Sequence, residues 1–214
     1  FHFYTYIHWL MFSTKTEIGY EIEIPTSFKR YDIIEHIGYG SFSSVVKVQD
    51  KYTKKYFAAK IISKKDMENQ NQMKTIMNEI NVLKTISHPN IIEFNEIIEI
   101  KNERNGKEFA VIIEEYCENG CLLDYLNHNS LDEEDKKKIA FGLISSIEYL
   151  HKFNIAHCDI KLENVLLDKY LNPKLCDFGF AKNFNDIYDI NKCGSIDYAA
   201  PELFRKGQFD PFKS

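Results

Sequence analysis

With 214 residues the chain is long enough to bury one sizeable core. Apolar residues make up 44% and charged residues 28%, with 16 Phe and 13 Tyr, which excludes a disordered chain, a collagen and a coiled coil. The formal net charge of −5 gives no global basic field, so no nucleic-acid partner is expected. Three of the cations are arginine, Arg30, Arg104 and Arg205, leaving few bidentate phosphate clamps. The five cysteines, Cys117, Cys121, Cys158, Cys176 and Cys193, form no CxxC pair, so neither a zinc site nor a disulfide framework is indicated. A reducing, cytoplasmic compartment is expected.

The segment Phe1–Phe12 is uncharged and aromatic. It is shorter than the roughly 20 apolar residues a bilayer span needs, and it lacks the basic start and small-residue cleavage site of a signal peptide; no membrane partner is expected. Residues ahead of Met11 read as an upstream artefact, with a docking strand or helix and a membrane anchor as alternatives. Pro25-Thr26-Ser27 closes this leader, placed at 1–27.

From Tyr31 the pattern is strand, Gly-rich turn, strand, charged turn, strand: YDIIEHIG, SSVVKVQD and KKYFAAKII. Lys64 to Ile86 carries Met67, Met73, Ile76, Met77, Ile80 and Leu83 at helical spacing, and His88-Pro89-Asn90 stops it. Two further apolar runs, Ile91–Ile100 and Phe109–Glu115, flank the polar turn KNERNGK. After Gly120 the pattern turns helical, over Leu122–Asn127 and Asp132–Phe153, the latter with Ile139, Leu143, Ile147 and Leu150 on one face. Five strands and one helix followed by helices predict an α+β arrangement.

Two constellations carry chemistry. Gly38-Tyr39-Gly40-Ser41-Phe42-Ser43 is a Gly-rich turn between strands, whose backbone N–H groups could approach phosphate oxygens, although a tight hairpin needs glycine as well. Lys60 lies in an apolar strand where a lone ammonium is costly to bury, so it is either paired, with Glu79 on the next helix as the candidate, or snorkels from an edge. The second constellation is His157-Cys158-Asp159-Ile160-Lys161-Leu162-Glu163-Asn164, followed by Asp177-Phe178-Gly179 and Ala200-Pro201-Glu202. A carboxylate to take a hydroxyl proton, a cation for a moving phosphoryl group and an Asn/Asp pair for Mg²⁺ are the groups phosphoryl transfer uses.

Through these motifs, and through DIKLENVLL, CDFGFAK and CGSIDYAAPELF, residues 31–214 resemble the eukaryotic protein kinases, most of all the calcium/calmodulin-dependent and Snf1-like branch. The resemblance implies a bilobal fold with a small five-stranded N-lobe carrying one helix. It places the kinase domain at 28–214, with the N-lobe at 28–113, the hinge at 114–120 and an incomplete helical C-lobe at 121–214. It implies transfer of phosphate from ATP, with Mg²⁺, to Ser or Thr of a protein substrate; nothing in it fixes the oligomeric state. Ile37, Gly38, Gly40 and Ser43 match the phosphate loop, with Ser43 in place of a third glycine. Val45 and Ala58 match the roof over adenine and Leu166 its floor. Lys60 matches the lysine on the α/β-phosphates and Glu79 its helix partner. The Glu115 carbonyl and Cys117 amide match the hinge that reads the adenine edge. Asp159 matches the catalytic base, Lys161 the γ-phosphate lysine, Asn164 and Asp177 the metal ligands, and Ser195 the hydroxyl residue that bonds Asp159 and Lys161.

The sequence also departs from the family. Cys158 replaces the usual Arg, and Asn191 stands at the acceptor position of the activation segment, so the resemblance implies activity without phosphorylation there, unless Tyr188 is an acceptor. Glu114 occupies the normally apolar gatekeeper position, facing either solvent or the adenine site. Cys121 replaces an acid that basophilic relatives use, whereas Glu163 is retained. The family continues past FDPFKS, so the domain is read as cut short and is expected to fold poorly in this form. A nucleotide-binding module without transfer activity and a small-molecule kinase are the competing readings. Lys161 and Ala200-Pro201-Glu202 speak against the second.

Overall fold

The computed structural model describes residues 13–15, 21–23, 27–40, 43–102, 106–183, 195 and 198. The expected sites at Ser41, Phe42, Tyr188, Asn191 and Ala200-Pro201-Glu202, and the leader up to Phe12, lie outside them. The chain divides into two compact units. One holds the chain up to Met73 together with Phe94–Tyr116; the other holds Lys74–Glu93 and the chain from Cys117 onward.

The first unit is a sheet. Short strands β1 (Ser13–Lys15) and β2 (Glu21–Glu23) pair with each other. The main sheet takes β3 (Ser27–Phe28), β4 (Tyr31–Gly40), β5 (Ser43–Asp50), β6 (Tyr56–Ser63), β7 (Phe94–Lys101) and β8 (Glu108–Glu115) in the order β3-β4-β5-β6-β8-β7. Five of these are the expected strands; the sixth, β3, adds only two residues at the edge, pairing Phe28 with Tyr31. Alternation sorts the side chains. Val46, Val48, Phe57, Ala59, Ile61, Val111 and Ile113 turn to one face and form the core with Phe28, Tyr31 and Ile33. Val45, Lys47, Ala58 and Lys60 fall on the other face, in the cross-strand pairs Val45–Lys60 and Lys47–Ala58. The apolar run expected to start a strand at Ile91 starts it at Phe94 instead. Ile91 and Ile92 are buried in the second unit, where the Ile92 N–H donates to the Leu175 carbonyl and the Leu175 N–H to Asn90.

The expected helix from Lys64 also starts later, as α1 (Gln70–Leu83). Asn69 is the reason: its side-chain oxygen accepts the N–H groups of Asn71 and Gln72 at 3.0 and 3.4 Å, capping the helix where the periodic run alone would have carried it on. Asp66–Glu68 before it form a single 3-10 turn. Of α1, the part from Lys74 onward belongs to the second unit and buries Ile76, Glu79, Ile80 and Leu83.

The remaining helices are α2 (Leu122–His128) and α3 (Glu133–Lys152), the latter capped by the Asp132 carboxylate on the Asp135 N–H at 2.8 Å. Helix α3 buries Ile139 and Leu150 but leaves Phe141 and Ile144 exposed. Strands β9 (Ile155–Ala156) and β12 (Lys182–Asn183) pair, as do β10 (Val165–Leu167) and β11 (Pro173–Leu175). The loop before Phe94 is pinned to α3, with the Ser87 N–H on the Tyr149 hydroxyl at 3.0 Å and His88 on Ser145 at 3.2 Å.

Candidate active site

His157 opens the loop after β9 and is buried on all sides. Its Nε2 faces the Cys176 carbonyl at 2.9 Å, and its Nδ1 accepts the Asp159 N–H at 3.2 Å. An acceptor on one side and a donor on the other fit the neutral tautomer protonated at Nε2. Burial holds its pKa below the ordinary value of 6.5, against the pull of the Cys176 carbonyl and the nearby carboxylates. The ring stacks edge-on against Phe178, with centroids 4.9 Å apart. This neutral wedge fixes the backbone on which Asp159 stands.

Asp159 is 5% exposed and fully engaged. Its Oδ1 accepts the Ser195 backbone N–H at 2.7 Å, and its Oδ2 takes Lys161 Nζ and Asn164 Nδ2, each at 3.0 Å. Burial alone would raise the carboxyl pKa, but the hydrogen bonds from Lys161 and Ser195 outweigh it and hold the group below its ordinary value of 3.8. Lys161 is affected in the opposite direction: burial lowers its pKa, the bond to Asp159 raises it, and the net shift is upward. Its ammonium also donates to Ser195 Oγ at 2.8 Å. The site therefore holds a carboxylate and an ammonium, both charged at neutral pH, locked side by side by one serine.

Asn164 and Asp177 are brought together by the β10–β11 hairpin. Val165 pairs with Leu175, so Asn164 lies beside Cys176, whose N–H donates to the Asn164 carbonyl at 2.9 Å. Asp177 is the next residue. The hairpin turn is built by Asp168, which accepts the N–H groups of Tyr170 and Asn172 at 2.8 Å each and the Asn172 side chain at 2.7 Å. Both donors of the Asn164 amide go to Asp159, on its carbonyl at 2.8 Å and its carboxylate. Its Oδ1 takes no hydrogen bond among the described residues. Asp177 adopts a left-handed φ of 62°, and so does Cys158 at 63°; Asp tolerates this region better than Cys does.

In the first unit, Gly38 pairs with Val45 and Gly40 with Ser43. Ile37 sits without a partner in a register shift between His36 and Gly38, a bulge that re-aims the strand as it enters the turn. Ser43 Oγ is buried without a hydrogen-bond partner among the described residues. Lys60 stands opposite Val45 on one side and Ile112 on the other. Glu114 pairs with Ala58 and Glu115 with Phe57; one Glu114 carboxylate oxygen is shut off from solvent, against the solvent-facing alternative. In the second unit Glu79 is 3% exposed on α1, and Cys117 begins a turn in which its carbonyl accepts the Gly120 N–H at 3.3 Å. Leu166 bridges to Cys121 there. Glu163 accepts the Tyr198 hydroxyl at 3.5 Å.

The oxygen donors of Asn164 and Asp177 are the hard ligands Mg²⁺ prefers. Among the described residues no cluster of three or more His, Cys, Asp or Glu offers a metal cage. Two protein ligands fit an ion that keeps its waters and shares phosphate oxygens with a nucleotide. In the first unit, the buried Ser43 hydroxyl is a donor without a partner among the described residues, in the turn compared with phosphate loops.

The protein kinase domain family matches this chain over residues 31–212. The chain belongs to that family. The kinase domain is 35% identical over 182 residues to the serine/threonine-protein kinase SIK1 of Rattus norvegicus, covering 84% of this chain and 23% of that protein. It is 35% identical to the serine/threonine-protein kinase SIK2 of Gallus gallus, over 84% of this chain and 22% of that protein. It is 34% identical to the carbon catabolite-derepressing protein kinase of Secale cereale, over 83% of this chain and 35% of that protein. It thus spans less than a quarter of the length of the first two relatives and about a third of the last. Sequence reasoning passed over Thr75 and Asn78 of α1, whose contacts lie about a hundred residues further along the chain; no local pattern marks them.

Proposed function

We propose that this domain phosphorylates serine and threonine hydroxyls of protein substrates, using ATP with Mg²⁺. The observation that carries the reading is Asp159, ionised, aimed by three donors and locked to Lys161 through Ser195. In this reading Asp159 orients the acceptor hydroxyl and takes its proton as the oxygen bonds to the γ-phosphorus and the bond to the ADP oxygen breaks. Lys161 steadies charge on the moving phosphoryl group, and Ser195 keeps it beside the base. Asn164 Oδ1 and the Asp177 carboxylate would hold Mg²⁺, which when bound neutralises the phosphate charge. Ile37, Gly38, Gly40, Ser43, Val45, Ala58, Glu115, Cys117 and Leu166 are assigned to the nucleotide, Lys60 to its phosphates, and Glu79 to Lys60. Residues 28–113, 114–120 and 121–214 are assigned as N-lobe, hinge and C-lobe. A cytoplasmic location follows from the cysteine pattern.

The test is Asp177→Ala in the full-length protein, followed by calorimetric titration of ATP with and without Mg²⁺. The wild type is expected to bind nucleotide far more tightly with the metal, and the variant to lose that difference. Unchanged Mg²⁺ dependence in the variant would overturn the assignment.

A further inference from the structure

Asn78 lies on α1 one residue before Glu79. Its side-chain Nδ2 is 3.1 Å from the carbonyl oxygen of Phe178, 3.1 Å from that of Gly179 and 2.7 Å from that of Ala181. An amide has two N–H donors, so three carbonyls share them. The turn after Asp177 makes one internal backbone bond in this stretch, from the Ala181 N–H to the Phe178 carbonyl at 3.0 Å. The Phe178 carbonyl is thus shared between that bond and Asn78, and the Gly179 and Ala181 carbonyls converge on Asn78 as well. Three residues earlier, Thr75 lies on the same side of the helix. A Cβ added at Gly179 would sit 2.5 Å from Thr75 Cγ2, so α1 passes too close for any side chain there. Asp177, at the head of the turn, is held at a φ of 62°. Such a conformation persists only where the surroundings over-determine it.

We infer that Asn78, backed by Thr75, is a positioning residue: it latches α1 onto the Asp177-Phe178-Gly179 turn and so holds Asp177 in the arrangement that binds metal. The inference rests on the reading of Asp177 as a metal ligand. Because Glu79 follows Asn78, about 100° further round the helix, the rotation that brings Asn78 to the turn also sets the direction of Glu79. One amide thereby ties two assigned residues to a single helix orientation. Among the described residues the Asn78 amide makes no hydrogen bond to Asp159 or Lys161, so the latch acts on metal and nucleotide and leaves the acceptor-side base alone.

Two substitutions separate a donor latch from a merely well-packed residue. Asn78→Asp keeps the shape but turns two acceptor oxygens toward three carbonyls. Asn78→Ala removes the donor and lets water reach the carbonyls. In the full-length protein Asn78→Asp should lower kcat about 30-fold and Asn78→Ala about 5-fold. Both should raise the Mg²⁺ concentration for half-maximal rate, with the peptide KM unchanged. Without nucleotide or metal, hydrogen exchange over residues 176–183 should quicken in both variants while exchange in β5 and β6 stays as in the wild type. Wild-type exchange in that segment, or equal kcat for the Asp and Ala variants, would overturn the latch; should the Asp variant fail to fold, exchange in Asn78→Ala decides alone. If exchange quickens as stated but Asp177→Ala keeps its Mg²⁺ dependence, the latch stands and the functional reading of Asp177 fails.

Discussion

His157 determines the loop's pH behaviour, although it takes no part in the chemistry. Burial keeps its imidazole neutral in the folded chain, whereas the unfolded chain binds a proton there as pH falls below about 6.5. The unfolded state then holds more protons than the folded one, so this contribution is intact above that pH and lost as pH falls toward the depressed folded value. His36 and His88 are also held low by burial and add to the slope in the same direction. Urea unfolding at pH 7.5 and 5.5 should show lower stability at the acid end, and His157→Gln should reduce that difference while leaving the shares of His36 and His88. An unchanged difference in the variant would mean that the ring protonates in place. Asp159 is also held below its ordinary value, which for a carboxyl means that it stays ionised throughout this range.

Among the elements, α3 and the β10–β11 hairpin set the position of Asn164 and Asp177, the residues proposed to hold metal. Gly142 of α3 lies against Pro173 of β11, where a Cβ would come within 2.5 Å of the proline ring and 2.9 Å of the Asn90 side-chain nitrogen. That Asn90 amide also donates to the Pro173 carbonyl at 3.0 Å, so the neighbours have little room to retreat. Gly142→Ala should therefore cost about 1–3 kcal/mol by overpacking, against at most about 1 kcal/mol returned by helix propensity. A lowered urea midpoint is the expected reading; a raised one would mean that α3 has slack. The ends of α3 were legible in advance, because Asp132 is a strong cap and Phe153 ends the periodic run. The start of α1 was not: Met67 keeps the helical period, and only the Asn69 side chain, turned onto its own backbone, breaks it. Ile91 and Ile92 misled for a similar reason. An apolar run does not say which core it enters, and these two residues enter that of the second unit.

At the scale of the whole molecule, the loop from His157 to Asn164 was the most legible part. Its residues lie close in sequence and their chemistry is distinctive, so Asp159, Lys161 and Asn164 could be picked out together; Ser195 meets both charged groups, with its hydroxyl accepting from Lys161 as expected but with its backbone N–H donating to Asp159. Asn78 was illegible because its meaning depends on carbonyls about a hundred residues away, and a backbone carbonyl leaves no mark in a sequence. The residues assigned to nucleotide are drawn from both units, so only a measurement of the complete reaction tests them together. The most direct one offers the full-length protein Mg·ATP and a peptide library with Ser, Thr and Tyr acceptors, alongside Asp159→Asn, which keeps the shape and removes the base. The account predicts phosphoserine and phosphothreonine from the wild type and a loss of at least about 100-fold in the variant. Phosphate transfer that survives Asp159→Asn, or a wild type that binds nucleotide and transfers nothing, would contradict it.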